Sequence, residues 1–284
     1  MKIEDKSFLI IAGQPKSGTT SLYDWLSKHP DISSSKLKEE RFFLDKSYPL
    51  KKRKHFNGNN IDEYLSLFKN KNKEVLLEAC PDYLYNSTPL RISHLLPNAK
   101  IIIIIRDPIS RMVSAYNFFI QRGMIDPKMS FDDYINYQKN LKIEDKTPIQ
   151  YRSLSQCSLK YILPKWEEKF EDKLLVIKFD ELKLYPYQTI KKICNLTNIS
   201  SNFYSNFDFS IKNKTKHPTN IFLSKYYYLV SDNLRIKFAN NKFIMSIGRV
   251  ISNFIKQRIS NDDIVKNIII KETTKKIIYE YHNR

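Results

Sequence analysis

A mostly parallel β-sheet flanked by helices is the fold this 284-residue chain predicts, and three segments predict it. Phe8 to Ala12 is a short apolar run that passes through a loop, Gly13 to Gly18, into a helical pattern opening near Thr19, with Leu22, Trp25 and Leu26 on one face. Lys100 to Arg106 reads KIIIIIR, and its isoleucine run suits a parallel strand covered on both faces. That run leads directly to Pro108 and a helical pattern over Ile109 to Phe119, with the proline in the first turn, where no N–H is needed. Further on the alternation repeats: an amphipathic helix over Ser158 to Phe170 containing Trp166, a buried strand over Lys173 to Asp180, and a helix over Pro186 to Leu196. Strands alternating with helices are the signature of an α/β domain, and we expect residues 1–284 to form a single one.

The first loop is built for an anion. A strand feeding a Gly/Ser/Thr loop and a helix start gathers the unpaired N–H groups of the first turn, and the helix dipole adds to the attraction. Ser17, Thr19, Thr20 and Ser21 bring hydroxyls, with Gly18 among them, and Lys16 brings a full charge. In the pattern G-x-x-x-x-G-K-[ST] the lysine follows the second glycine. Here Gly13 and Gly18 keep that separation, but Thr19 stands in the lysine's place and Lys16 approaches from the loop side. The order P-K-S-G-T-T resembles the 5′-phosphosulfate loop of the sulfotransferases, whose donor is 3′-phosphoadenosine 5′-phosphosulfate (PAPS). The plainer alternative is a strand–loop–helix corner whose Gly and Thr only turn and cap.

A second segment supports the same family. Arg106 follows the isoleucine strand at its carboxyl end, where open α/β sheets bind ligands, and Ser114 comes eight residues later in the expected helix. An arginine can fork two donors onto a phosphate while a serine hydroxyl takes another oxygen. The segment RDPISRMVSAY resembles the sulfotransferase 3′-phosphate motif R-D-P-x-x-R-x-x-S-x-Y. Between the two motifs, HPDISSSKLKEERFFLD (His29 to Asp45) resembles the carbohydrate-modifying branch, including heparan sulfate types, in which H-P-D is followed by Glu-x-x-Phe-Phe. The resemblance puts the catalytic base at Glu39, beside Glu40; the alternative is a solvated member of the charged run Lys36 to Arg41. Arg41 falls where a histidine is common. Glu78 to Tyr83, after an apolar strand over Val75 to Leu77, resembles E-K-[ST]-P-x-Y with Ala79 in the lysine's position. Asn213 to Lys216 resembles the N-K-T-K loop that closes over the donor. The resemblance spans about residues 7–217, and 218–284 reads as a basic, helical C-terminal part.

Composition agrees with anionic partners. There are 48 Lys+Arg against 30 Asp+Glu, a formal charge of +18, and residues 212–284 hold 15 basic and 5 acidic residues, +10 of that total. No RNA-binding signature, zinc-finger spacing or recognition-helix pattern favours specific nucleic acid binding. Cys80, Cys157 and Cys194 are too scattered for a disulfide framework or zinc site and are expected as small buried hydrophobes. Lys51 to Lys54 and Asn57 to Asn60 are expected as an exposed loop near the acceptor side. The first strand opens within a few residues of Met1, with no signal peptide or anchor helix ahead of it, so a cytoplasmic protein is expected. Phe243, Ile247, Val250, Ile251, Phe254 and Ile255 fall at helical spacing among Arg249, Lys256 and Arg258. This segment is either a helix packed on the domain or a basic amphipathic helix resting on an anionic membrane, which would suit a lipid-linked acceptor.

The expected function is therefore transfer of a sulfuryl group from PAPS to an acceptor hydroxyl, on a carbohydrate or glycolipid that is acidic or lipid-linked. The resemblance implies that Lys16 and residues 17–21 hold the 5′-phosphosulfate, that Glu39 takes the acceptor's proton, and that Arg106, Ser114 and Lys216 hold the 3′-phosphate. No metal is expected, and the product is 3′-phosphoadenosine 5′-phosphate (PAP). Two alternatives stand: a P-loop kinase-like phosphotransferase, which would need the displaced lysine and a Mg²⁺-binding acid, and an inactive nucleotide- or polyanion-binding module, for which only Ala79 and Arg41 speak.

Overall fold

The computed structural model describes residues 6–85, 87–144, 146–210, 217–218, 221–261 and 268–284. They gather into two compact units, Met1–Asp107 with Lys160–Asn213, and Pro108–Leu159 with Lys214–Arg284.

The first unit is built on a five-stranded sheet. Strands β1 (Ser7–Gly13), β2 (Ile32–Ser34), β3 (Val75–Ala79), β4 (Lys100–Ile105) and β5 (Leu174–Lys178) are all parallel, in the order β2-β3-β1-β4-β5. The mostly parallel sheet read from the sequence is thus parallel throughout. β1 and β4 are interior strands, and Ile101 to Ile104 are completely buried, as an isoleucine strand covered on both faces requires. One face carries the main core. There Leu9 and Ile11 meet Leu22, Trp25 and Leu26 of α1 (Thr19–Leu26), Leu182 of α7 (Phe179–Leu184), and Ile190, Ile193 and Cys194 of α8 (Pro186–Thr197). On the other face Phe8 packs against Tyr64 of α2 (Ile61–Leu65) and against Phe68.

Three expected elements are corrected. The helix expected from Ser158 begins only at Leu163 and runs to Phe170 (α6), because Pro164 fits a helix's first turn and not its interior. The strand expected to reach Asp180 ends at Lys178, and Phe179-Asp180 open α7, with two acids in its first turn where the dipole favours them. That strand lies at the sheet's edge and only Ile177 in it is buried, so it is not the buried strand expected. The loop around Lys51 to Asn60 is likewise less exposed than expected, since Arg53 turns inward onto Glu40.

The second unit is helical. Its core joins α4 (Pro108–Gln121), α5 (Phe131–Lys139) and α11 (Glu272–Asn283) through Met112, Tyr116, Phe119, Tyr134, Ile277 and Ile278. Arg111, the second arginine of RDPISRMVSAY, is buried and its guanidinium donates to the Ser153 carbonyl at 2.6 Å. The unit also holds α9 (Ile221–Lys237) and α10 (Lys242–Ile259), and a short antiparallel pair, β6 (His217–Pro218) with β7 (Ser260–Asn261). Phe243, Ile247, Val250 and Ile251 on α10 are 43–74% exposed, and α9 carries exposed Phe222, Tyr226 and Leu229 one turn apart along one face. The packed-helix alternative for α10 therefore does not hold at those residues. Cys80, Cys157 and Cys194 are free thiols and buried, as expected. No helix among the described residues is long and apolar enough to cross a membrane.

Candidate active site

Three neighbouring parallel strands deliver the candidate residues to one edge of the sheet. β1 runs into the loop 13–18, β4 runs into Arg106, and the carbonyl of Ala79 at the end of β3 accepts the Glu39 N–H at 2.9 Å. Register aligns them: Ile11 pairs with Ala79 on one side of β1 and Gly13 with Ile103 on the other. Parallel strands expose all their carboxyl ends at the same side, so the topology forces the anion loop, Glu39 and Arg106 to that side.

The anion loop is held open from within the unit. Gln14 N–H donates to Ile104 O at 2.8 Å and Ser17 N–H to Gln14 O at 3.2 Å, while the Arg106 guanidinium donates to the Lys16 carbonyl at 2.8 Å and stacks over Phe179 at 4.4 Å. Lys16 adopts φ 69° and Gly18 φ 82°, both in the left-handed region. At Gly18 a glycine is required twice over, since an added Cβ would also stand 3.0 Å from the Phe179 ring. Gly18 leaves the first turn of α1 without a side-chain cap, so its N–H groups face the loop. Thr19 and Ser21 are buried in that turn and Thr20 is half-buried. Ser17 is completely buried, and its Oγ has no hydrogen-bond partner among the described residues. A buried hydroxyl without a partner is costly, and a phosphate or sulfate oxygen in the loop would satisfy it. By these residues the loop fits the phosphosulfate end of a nucleotide.

The acceptor-side loop carries Glu39 in a different way. Glu39 and Arg41 both take left-handed backbone, φ 68° and 64°, an arrangement non-glycine residues adopt at a cost of about 1–3 kcal/mol and which concentrates at functional sites. The Glu39 carboxylate is half-buried between Lys38 Nζ at 2.7 Å and Arg41 Nη2 at 3.4 Å. Both partners belong to the charged run Lys36 to Arg41 itself. Its neighbour Glu40 is the inward one, accepting from Leu37 N–H and from Arg53. Arg41, in the position of the usual histidine, bridges Glu39 and the Lys51 carbonyl. Ala79 is completely buried in the core cluster with Leu9 and Leu22, which leaves no cation on β3 itself. Asp82 stands close by, accepting from Tyr48 Oη at 2.6 Å, and burial raises its carboxyl above the usual carboxylate value.

Ser114 is half-buried on α4 in the second unit, and Lys216 lies outside the described residues. His29 of the HPD motif is structural: its ring is buried, bonded to the Ser200 carbonyl at 2.9 Å and stacked on Tyr204. Sequence reasoning missed the carboxyl of Glu78, which lies 1% exposed behind the Glu39 loop and accepts from the hydroxyls of Tyr64 and Tyr83. Among the described residues no group of His, Cys, Asp and Glu is arranged to hold a metal ion.

Comparison with known proteins agrees with this geometry. Residues 6–229 match the family model described as "Sulfotransferase domain". A membrane-associated sulfotransferase of Dictyostelium discoideum is 38% identical over 118 residues, 39% of this chain and 23% of that protein. A bifunctional heparan sulfate N-deacetylase/N-sulfotransferase 1 of Xenopus laevis is 29% identical over 207 residues, 67% of this chain and 22% of that protein. The human counterpart is 34% identical over 138 residues, 45% of this chain and 14% of its own length. The match thus spans less than a quarter of each of these relatives. Among solved structures, a sulfotransferase from Alicyclobacillus acidocaldarius shares the fold, with a TM-score of 0.58 at 24% identity, covering 85% of this chain and 98% of that one. With the parallel sheet, the anion loop ahead of α1 and a family match over most of its length, the chain belongs to the sulfotransferase domain family.

Proposed function

We propose that the protein is a PAPS-dependent sulfotransferase acting on a sugar-containing acceptor. The observation that carries the reading is the convergence of the Lys16 loop, Glu39 and Arg106 at the carboxyl edge of β3, β1 and β4. In the reaction the acceptor oxygen forms a bond to sulfur as the bond from sulfur to the 5′-phosphate oxygen breaks, releasing PAP. The transition state is loose and anionic, as in phosphoryl transfer, so the protein mainly positions and neutralises. Lys16, the uncapped turn of α1 and the hydroxyls of Ser17, Thr19, Thr20 and Ser21 offset the charge gathering on the leaving phosphate. Glu39 accepts the acceptor's proton, with Lys38 and Arg41 paired to its carboxylate. Arg106 takes the 3′-phosphate, with Ser114 and Lys216 assigned to the same task by their motifs.

The acceptor reading is finer than the family. Two of the relatives are named for heparan sulfate and for transfer to nitrogen, and the +18 charge of this chain favours an anionic acceptor. We take an acidic or lipid-linked sugar hydroxyl as the acceptor, residues 1–284 as one working domain, and the cytoplasm as its location; cell fractionation tests the last. The exposed apolar faces of α9 and α10 fit a peripheral contact with an anionic membrane, since residues 221–261 contain seven basic residues and one acidic. Vesicles with and without anionic lipid, pelleted with the wild type and with Phe243, Ile247 and Ile251 made polar, test that contact. The activity itself is tested with sulfur-labelled PAPS against acidic oligosaccharides whose amino groups are blocked by acetylation and against neutral glycosides. Label moving to a saccharide in the wild type and not in Glu39→Gln supports the reading; Mg²⁺-dependent transfer from ATP instead would move the kinase alternative ahead of it.

A further inference from the structure

The carboxyl of Glu78 has an unusual place. It lies on β3 against Tyr64 and Tyr83, whose rings pack with Phe8, Phe42 and Phe43, and among the described residues no lysine, arginine or histidine forms an ion pair with it. Its partners are two hydroxyls: Tyr64 Oη donates to Oε2 at 2.7 Å and Tyr83 Oη donates to Oε1 at 2.7 Å. Tyr83 Oη in turn accepts the backbone N–H of Phe43 at 3.3 Å. Phe43 closes the segment that carries Glu39, and its carbonyl is held by Arg91 at 2.9 Å. At the segment's near end the Glu39 N–H is tied to Ala79, the residue next to Glu78 on the strand. One carboxyl therefore reaches the Glu39 loop along two routes, through the Tyr83 hydroxyl and through the strand.

We propose that Glu78 is a positioning residue for Glu39: when ionised it orients both tyrosine hydroxyls, and the Tyr83 oxygen then holds the Phe43 N–H and with it the far end of the Glu39 loop. This rests on the reading of Glu39 as the base. The hydrogen-bond inventory allows a single pattern in the ionised state, with two O–H groups donating to the carboxylate and one N–H donating to Tyr83. A protonated Glu78 carries an O–H of its own, which must donate to one of the tyrosine oxygens. Where that oxygen is Tyr83's, the tyrosine's own proton turns away from the carboxyl and its oxygen is shared between Glu78 and the Phe43 N–H, which weakens the hold on Phe43. Burial pushes the Glu78 carboxyl up to about 7, the Glu40 carboxylate adding to the rise and the two tyrosine bonds holding it back, so the exchange falls near neutrality. Every titratable group that faces Glu78 points the same way: Tyr64, Tyr83 and Cys80 are raised by burial first and by this carboxyl as well, Tyr23 on α1 is raised too, and Glu40 is committed to Arg53.

The sequence supplies a clean probe. Of the 17 phenylalanines only Phe43 and Phe119 directly follow another phenylalanine, so carbonyl-carbon-13 and nitrogen-15 labelling of phenylalanine isolates two amide signals, and Phe119 serves as a control. The Phe43 signal in the wild type is expected to titrate with a midpoint near 7, and the Phe119 signal to stay still. In Glu78→Gln the Phe43 titration should vanish; in Tyr83→Phe, which keeps the carboxyl and removes the relay, it should shrink strongly. In the saccharide assay the wild-type kcat should fall about tenfold per pH unit well below that midpoint with KM for PAPS unchanged, and Glu78→Gln should lose this limb. A Phe43 signal that does not move across neutrality, or that titrates equally in Glu78→Gln, overturns the proposal. Titration that vanishes in Glu78→Gln supports the relay even where no saccharide accepts label, an outcome that strikes the functional reading and not the relay.

Discussion

The two loops at the sheet edge solve opposite problems. The loop 13–21 leaves groups unsatisfied: the Ser17 hydroxyl is buried without a partner and the first turn of α1 has no side-chain cap. The loop 36–45 ties its groups down, with Glu40 on Arg53, Glu39 N–H on Ala79, Phe43 N–H on Tyr83 and Phe43 O on Arg91. Both contain non-glycine residues in left-handed backbone, Lys16 in one and Glu39 and Arg41 in the other. The difference teaches what each awaits. The first is completed by a ligand oxygen, and the second must hold one carboxylate still without any ligand. The cations that flank Glu39 come from Lys38 and Arg41 of its own loop and not from β3, which ends at Ala79.

The contrast can be broken by substitution, and the largest effect belongs to the tied loop. Replacing Glu39 by Gln removes the proposed proton acceptor and is expected to lower kcat by about 10²–10⁴-fold with PAP affinity nearly unchanged, measured by label transfer and calorimetry. Lys16→Ala comes next, with a loss in kcat/KM for PAPS of about 10²–10³-fold, because it withdraws a charge from the leaving phosphate. Arg106→Ala is expected to weaken PAP binding by roughly 1.5–3 kcal/mol, about ten- to a hundredfold, and also to loosen the loop, since Arg106 holds the Lys16 carbonyl.

The smallest effects sharpen the comparison through their sign. Ser17→Ala should raise the melting temperature of the ligand-free protein slightly, by removing a buried hydroxyl that has no partner, while weakening PAP binding several-fold. A stabilised variant that binds PAP as tightly as wild type would show that the hydroxyl does not face the ligand. Glu78, on β3 beside the tied loop, gives an effect of the same sign that depends on pH. A carboxyl raised from its ordinary value of 4.5 to about 7 binds its proton more tightly folded than unfolded, so its contribution to stability falls as pH rises through that window. Denaturant melts of wild type and Glu78→Gln should therefore converge in acid and diverge toward pH 8, with the wild type losing more.

Much of this site was legible before the structure, for identifiable reasons. The first strand, its loop and the start of α1 are set by local sequence, as an apolar run, a Gly/Ser/Thr turn and a 3.6-residue period. The isoleucine run announced an interior strand because no polar residue interrupts it, and a parallel sheet then brings its successor Arg106 to the same side as Lys16. The edge position of β5 was not legible, since KLLVIKFD has the same composition whether one or two faces are covered. Pro164 lies in the first turn of α6, while the apolar period around it extends back toward Ser158 and hides that start. Glu78 was hidden for a different reason. A glutamate in sequence reads as a surface charge, and its partners are Tyr64, fourteen residues upstream, and Tyr83, five downstream, which only the sheet brings together. The exposed stripe on α9 was missed because its apolar residues spread around the whole helix and leave no clear period.

The central claim is that the sheet edge receives a 3′-phosphorylated adenosine sulfuryl donor, and calorimetric titration tests it most directly. PAP, ADP, and ATP with Mg²⁺ would be titrated into the wild type and into Arg106→Ala. The account predicts tight binding of PAP alone and a loss of about ten- to a hundredfold in Arg106→Ala. Equal or tighter binding of ATP with Mg²⁺, or PAP binding indifferent to Arg106, would contradict it.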